Sequence, residues 1–140
     1  AVDKTAPGVV QYRKTISRSF GKIGRKIMPY ITTKVTSPLP QEKISALTAA
    51  YGKLIEIFPG KTERWLMLDF TGDAKMAFAG TDEPCAMVEV ALFGKASDDT
   101  YDKMTAAVCA LIERECAIPA DRVYVKYAEV EHWGWNGGNF

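Results

Sequence analysis

Two helical stripes of identical spacing, 57 residues apart, constrain this chain more than any other feature. Ile44, Leu47, Tyr51, Leu54 and Ile55 recur at i, i+3, i+7, i+10 and i+11, and Tyr101, Met104, Val108, Leu111 and Ile112 repeat the pattern. Each stripe is the mark of an amphipathic helix with one buried face. Ser97 is a natural N-cap for the second helix, with Asp98 and Asp99 at the positive end of its dipole, and Pro40 suits the first turn of the other. Strand-like runs repeat with the helices. Tyr30–Val35 opens the first unit and Ala86–Phe93 the second. Glu63-Arg64 precedes Trp65-Leu66-Met67-Leu68, and 58 residues later Asp121-Arg122 precedes Val123-Tyr124-Val125, each strand following a helix-ending proline, Pro59 or Pro119.

The order is βαβ followed by βαβ, an α+β chain with a four-stranded mixed sheet and two helices on one face. A single crossover helix within each unit implies parallel pairing inside that unit. Two helices cover one sheet face only. The other carries Trp65 and Met67 or their neighbours Leu66 and Leu68, and parallel-paired strands rarely leave a face in water. The economical cover for it is a partner subunit, so a symmetric oligomer is expected.

Charge divides the chain into two objects. Residues 1–28 hold seven Lys and Arg against Asp3 alone, a net charge of +6, while in residues 29–140 eleven cations face sixteen acids, a net −5. The acidic body argues against nucleic-acid binding by the folded domain. In the basic segment Tyr12, Ile16, Phe20, Ile23 and Ile27 fall at helical spacing, and Gly21 and Gly24 each weaken such a helix by about 1 kcal/mol. Two readings stand: a transit peptide or membrane-surface helix, or upstream sequence joined to a true start at Met28. On either, residues 1–28 are expected to lie outside the fold, with the domain running from 29 to 140. No run of 18 apolar residues and no continuous apolar leader is present.

Three cysteines, Cys85, Cys109 and Cys116, leave one unpaired in any scheme. Cys109 and Cys116 lie seven residues apart on one expected helix, about 10 Å along its axis, which is too far for a disulfide. They read as reduced thiols, and the expected compartment is the cytoplasm. The lone His132, with no His/Cys cluster, gives no metal site and reads as a surface residue.

Met28-Pro29 stands at the head of the first strand. If Met28 is the start and is removed, Pro29 presents a secondary amine, a base that titrates near physiological pH. Bonded to Met28, the same nitrogen is an amide and has no basicity.

These pieces, together with Pro59-Gly60-Lys61, Met76-Ala77-Phe78-Ala79-Gly80, Glu83-Pro84-Cys85-Ala86, Phe93-Gly94-Lys95, Pro119-Ala120-Asp121-Arg122-Val123-Tyr124 and Gly134-Trp135-Asn136, resemble the tautomerase superfamily. The resemblance is to its branch of macrophage migration inhibitory factor and D-dopachrome tautomerase, and the ending Val125-Lys126-Tyr127…Trp133-Gly134-Trp135-Asn136-Gly137 is similar to bacterial members. It covers residues 28–140.

The resemblance implies a homotrimer whose sheets form an inner barrel. It also implies cofactor-free keto–enol tautomerisation of α-keto acids such as phenylpyruvate. In that scheme Pro29 is the catalytic base, Lys61 holds the substrate carboxylate, and Phe93 gives an apolar wall and a backbone N–H. Tyr124 reaches the neighbouring subunit's pocket. Lys126 stands where animal members carry asparagine, and either grips an acidic substrate or turns into solvent. Trp133, Trp135 and Phe140 wall the pocket mouth or clamp a neighbour. Cys85 matches the first cysteine of that branch's Cys-x-x-Cys pair, but Val88 replaces the second, so a dithiol activity has no motif. Two other functions remain: a non-enzymatic, cytokine-like trimer with a host protein partner, and a silent trimer in which the leader blocks Pro29.

Overall fold

The computed structural model describes residues 28–140; the helical pattern expected between Tyr12 and Ile27 lies outside them. Strand β1 (Pro29–Val35) leads through helix α1 (Gln41–Leu54) to β2 (Met67–Thr71). Strand β3 (Ala86–Phe93) leads through α2 (Asp98–Cys116) to β4 (Val123–Val130). The sheet order is β2-β1-β3-β4. β1 and β2 run parallel, as do β3 and β4, and the two units join through antiparallel β1 and β3. The α+β reading with a four-stranded mixed sheet holds.

The helices form where the stripes place them. Ser97 caps α2, its Oγ accepting the Thr100 N–H at 3.2 Å, with Asp98 and Asp99 in the first turn. Pro40 stands one residue ahead of α1, and its carbonyl accepts the N–H groups of Lys43 and Ile44. Leu47, Tyr51, Ile55, Met104, Val108, Leu111 and Ile112 are buried against Ile31, Val35, Val88 and Leu92 of the sheet. Ile44, Leu54 and Tyr101, at the edges of the stripes, are only half-buried. Among the described residues the cluster of buried core residues runs from Ile31 to Val123.

The second strand is shorter at its start than expected. Glu63–Trp65 forms a 3₁₀ turn, and β2 begins at Met67 and continues to Thr71. The apolar run Trp65–Leu68 hides this boundary, because a turn residue packed on the domain reads the same as a strand residue. A small ribbon was also not anticipated: β5 (Gly134–Trp135) and β6 (Gly138–Asn139) pair antiparallel. Asn136 and Gly137, both at positive φ (49° and 82°), form its two-residue turn, the Asn-Gly signature of a tight hairpin.

The sheet face away from the helices bears Tyr30, Thr32, Met67, Asp69, Met87, Glu89, Tyr124 and Lys126, placed there by strand alternation. Met67 and Tyr124 are the large apolar side chains left most open to solvent, at 67% and 63% exposure. Under the helices the polar groups are paired. Thr33 and Tyr51, both fully buried, share a hydrogen bond of 2.8 Å between their hydroxyls. Burial pushes the Tyr51 phenol well above its ordinary pKa. Tyr51→Phe strands the Thr33 hydroxyl without this partner, and thermal unfolding is expected to show a loss of about 1–2 kcal/mol. An unchanged melting curve would mean the pair contributes nothing net.

Cys85, Cys109 and Cys116 are free thiols, and His132 is exposed. Among the described residues no helix is long and apolar enough to cross a membrane, and no group of three metal-ligating side chains gathers.

Candidate active site

Pro29 is the first residue of β1, an interior strand, and is buried. A proline is tolerated at a strand's first residue, where the lost donor breaks no ladder bond. Here it sits opposite Leu92 in the antiparallel pair. One residue earlier the Met28 carbonyl accepts the Phe93 N–H at 3.2 Å. Pro29 and Phe93 are therefore neighbours across the head of the sheet.

A hollow of about 630 Å³ opens beside Pro29, walled by Trp65, Met67, Trp133 and Trp135. Arg64 is the one charged side chain among the described residues of its lining, which holds no carboxylate. The rings continue as an arc. Trp65 meets Trp135 edge-on at 5.0 Å, Trp135 stacks on Phe140 at 6.5 Å, and Phe140 lies 5.7 Å from Phe93. These separations fall within the favourable range for aromatic pairs. The arc thus joins the Pro29 hollow to a second one, lined by Phe93, Lys95, Glu129, Glu131 and Phe140.

Lys61 comes from the connection between α1 and β2. After the 3₁₀ turn Ile55–Ile57 the chain reverses through Pro59-Gly60. Gly60 takes φ +77°, a left-handed conformation natural to glycine. The Lys61 N–H returns to the Phe58 carbonyl at 3.1 Å. Its side chain is buried, 6% exposed, and loss of hydration lowers the ammonium pKa from 10.5 to about 8. Lys61 and Lys95 line a third hollow with Phe58, Pro59 and Thr100. Lys95 is also in the second, so the second and third depressions adjoin at Lys95.

Tyr124 and Lys126 stand apart from this group. Tyr124 is in register with Met87, five residues along β3 from Leu92, about 17 Å at ordinary strand rise. Its ring meets Phe78 edge-on at 5.0 Å. Lys126 pairs with Glu89 at 3.4 Å on the sheet face away from the helices. Within one chain, then, Pro29 and Phe93 are together, Lys61 lines a separate hollow that meets Phe93's at Lys95, and Tyr124 and Lys126 are on another part of the sheet.

Three contributors were not picked out as site residues from sequence. Arg64 and Trp65 enter the hollow because they belong to a turn and not to a strand. Lys95 enters with Lys61. The Asn136-Gly137 turn was a readable signal for the hairpin that holds Trp135 beside the site.

Comparison with known proteins agrees with this fold. The family model of macrophage migration inhibitory factor matches residues 28–140. The crystal structure of Leishmania major MIF2 is 38% identical, covers 81% of this chain and 97% of its own, and superposes with a TM-score of 0.76. The macrophage migration inhibitory factor homologue from Prochlorococcus marinus is 29% identical, covers 79% of this chain and 98% of its own, and gives 0.68. Macrophage migration inhibitory factor of Xenopus laevis is 27% identical over 118 residues, which is 81% of this chain and 99% of the relative. With its βαβ repeat, interior proline strand and matching span, the chain belongs to the macrophage migration inhibitory factor family, within the tautomerase superfamily.

Proposed function

We propose that the protein is a cofactor-independent keto–enol tautomerase of α-keto acids such as phenylpyruvate, working through Pro29 when that residue is the free amino terminus. The observation that carries this reading is a buried proline at a strand head, beside an aromatic hollow whose lining has one cation and no carboxylate. Such a hollow suits an aryl acid. It also disfavours the protonated amine, which must be neutral to act as a base.

The proton bookkeeping is simple. The Pro29 nitrogen takes a proton from the carbon beside the ketone. The C–H electrons form the carbon–carbon double bond, and the carbonyl electrons move to oxygen. That oxygen then takes a proton and the enol is complete; the reverse reaction returns a proton from Pro29 to carbon. The Lys61 ammonium anchors the carboxylate, and the Phe93 N–H offers a donor to the polar end of the substrate once the Met28 carbonyl has left it. Activity is tested by comparing phenylpyruvate enolisation in chains that begin at Pro29 and at Ala1.

The working unit in this reading is a homotrimer, in which Tyr124 and Lys126 of one subunit approach the Pro29 site of another. Exposed Met67 and Tyr124 on an uncovered sheet face support this. Sedimentation of the 140-residue chain, 15.4 kDa as a protomer, is expected to give a single species of about three times that mass. A well-folded monomer at micromolar concentration would remove the trimer, and with it the roles of Tyr124 and Lys126. The reading places the protein in the cytoplasm.

The Met28 contact favours a second state of the same molecule. While Met28 is attached, the base is an amide and the Phe93 N–H is already occupied. This is a folded but silent form.

A further inference from the structure

Arg64 has no part in the scheme above, yet it is the charged residue of the Pro29 hollow. Its guanidinium carbon lies 5.3 Å from the centre of the Trp65 ring. Trp65 is itself held edge-on against Trp135. A guanidinium laid on an indole keeps its N–H edge free for a planar anion while the face is stabilised by the ring. Among the described residues no carboxylate lies in salt-bridge contact with it, and none lines the hollow. Glu63, its neighbour in the chain, aims its carboxylate at Gly52 of α1 instead.

Lys61 precedes Arg64 by three residues, so their α-carbons lie at most about 11 Å apart. The two cations differ in kind. Lys61 is buried and weakened as a cation by desolvation. Arg64 is exposed, always charged, and shaped for bidentate contact.

We propose that Arg64 is a specificity-determining residue that recognises a second acidic group, so that the favoured substrates of this site are aryl or short-chain α-keto diacids. Lys61 takes the carboxylate next to the ketone, and Arg64 takes the distal one at the mouth of the hollow. The inference rests on the reading of the Pro29 hollow as the substrate site, and its test does not depend on turnover.

Terephthalate and benzoate differ by one distal carboxylate and neither can enolise. Their dissociation constants are measured by titration calorimetry on the 140-residue chain and on the chain trimmed to Pro29. Terephthalate is expected to bind about tenfold more tightly than benzoate, the scale of one charge-assisted hydrogen-bonded pair at a partly exposed site. Arg64→Gln brings the ratio close to one, and Arg64→Lys keeps only part of it, because an ammonium lacks the planar fork. A tenfold ratio that survives in Arg64→Gln, or no preference for the diacid in either chain length, overturns the proposal. If the ratio behaves as expected but the trimmed chain does not enolise phenylpyruvate, the tautomerase reading fails and Arg64 stands as an anion-recognition residue. If phenylpyruvate turns over and the ratio is insensitive to Arg64, the reverse holds.

Discussion

A chain that begins at Pro29 is expected to enolise phenylpyruvate at least a hundredfold faster than the 140-residue chain at equal subunit concentration. The size follows from what general base catalysis contributes, about 10²–10⁴-fold, and from the total loss of basicity in an amide. Both chains keep the core from Ile31 to Val123, so both are expected to fold, and circular dichroism with sedimentation checks this before rates are compared. Activity of the short chain is expected to rise with pH as the Pro29 amine loses its proton. That step is expected below the usual range of an α-amino group, because the aromatic hollow and the nearby cations disfavour the charged form. Replacing Pro29 by Ala leaves a primary amine and keeps part of the rate. Inserting one Ala before Pro29 restores the amide and removes nearly all of it. Equal rates from the two chain lengths would show that the base is some other group.

Lys61→Met has two effects of opposite sign, and both are large. In the proposed mechanism the buried ammonium anchors the substrate carboxylate, so kcat/KM for phenylpyruvate is expected to fall about 10- to 100-fold, as for loss of a charge-assisted bond in a water-poor site. The pH profile separates anchoring from mere packing. In the native protein the anchor is charged below its pKa of about 8 and is lost above it, so kcat/KM declines on the alkaline side. In Lys61→Met that decline disappears.

Stability moves the other way. The pKa of Lys61 falls from 10.5 to about 8 on folding, so between these values the unfolded chain binds more protons than the native one. Stability therefore rises with pH through that window, and at pH 7 the buried charge is a net cost. Removing it should raise stability by about 1–3 kcal/mol. A variant that is less stable at pH 7, with kinetics unchanged, would contradict both halves of the argument.

How far each element could be read from sequence depended on whether its signal is local. α1 and α2 were legible because a 3.6-residue stripe is a property of a single segment. β3 was legible to its boundaries, Ala86–Phe93, because its buried positions alternate from Ala86 to Leu92. The start of β2 was not, since Trp65 packs on Trp135 from a turn and leaves the apolar run unbroken. The site divides in the same way. Pro29, Lys61 and Phe93 were nominated by residues at turns and strand ends together with the family resemblance. The partner of Lys126 was beyond reach, because pairing it with Glu89 requires the register of β3 on β4. Arg64 was hidden for a related reason: three residues of 3₁₀ turn decide that it faces the Pro29 hollow.

Phe93 has a practical bearing on how this protein can be handled. Its N–H holds the Met28 carbonyl and its ring holds Phe140, whose own N–H donates to Trp133. Residues from opposite ends of the domain thus meet on one amino acid. A fusion or affinity tag attached at either side pulls on the wall of the hollow that Phe93 and Phe140 line and cannot be treated as neutral. A place for a reporter away from the Pro29 hollow is the exposed turn Ala79-Gly80, where Gly80 has open space around it and the Phe78–Thr81 bridge closes the loop, with Phe78 packed on Tyr124. The same closeness makes the domain a candidate for circular permutation. Joining residue 140 to residue 29 through a short linker would give a permanently acylated proline, on the proposed mechanism an inert twin against which any binding role of the surface could be measured free of turnover.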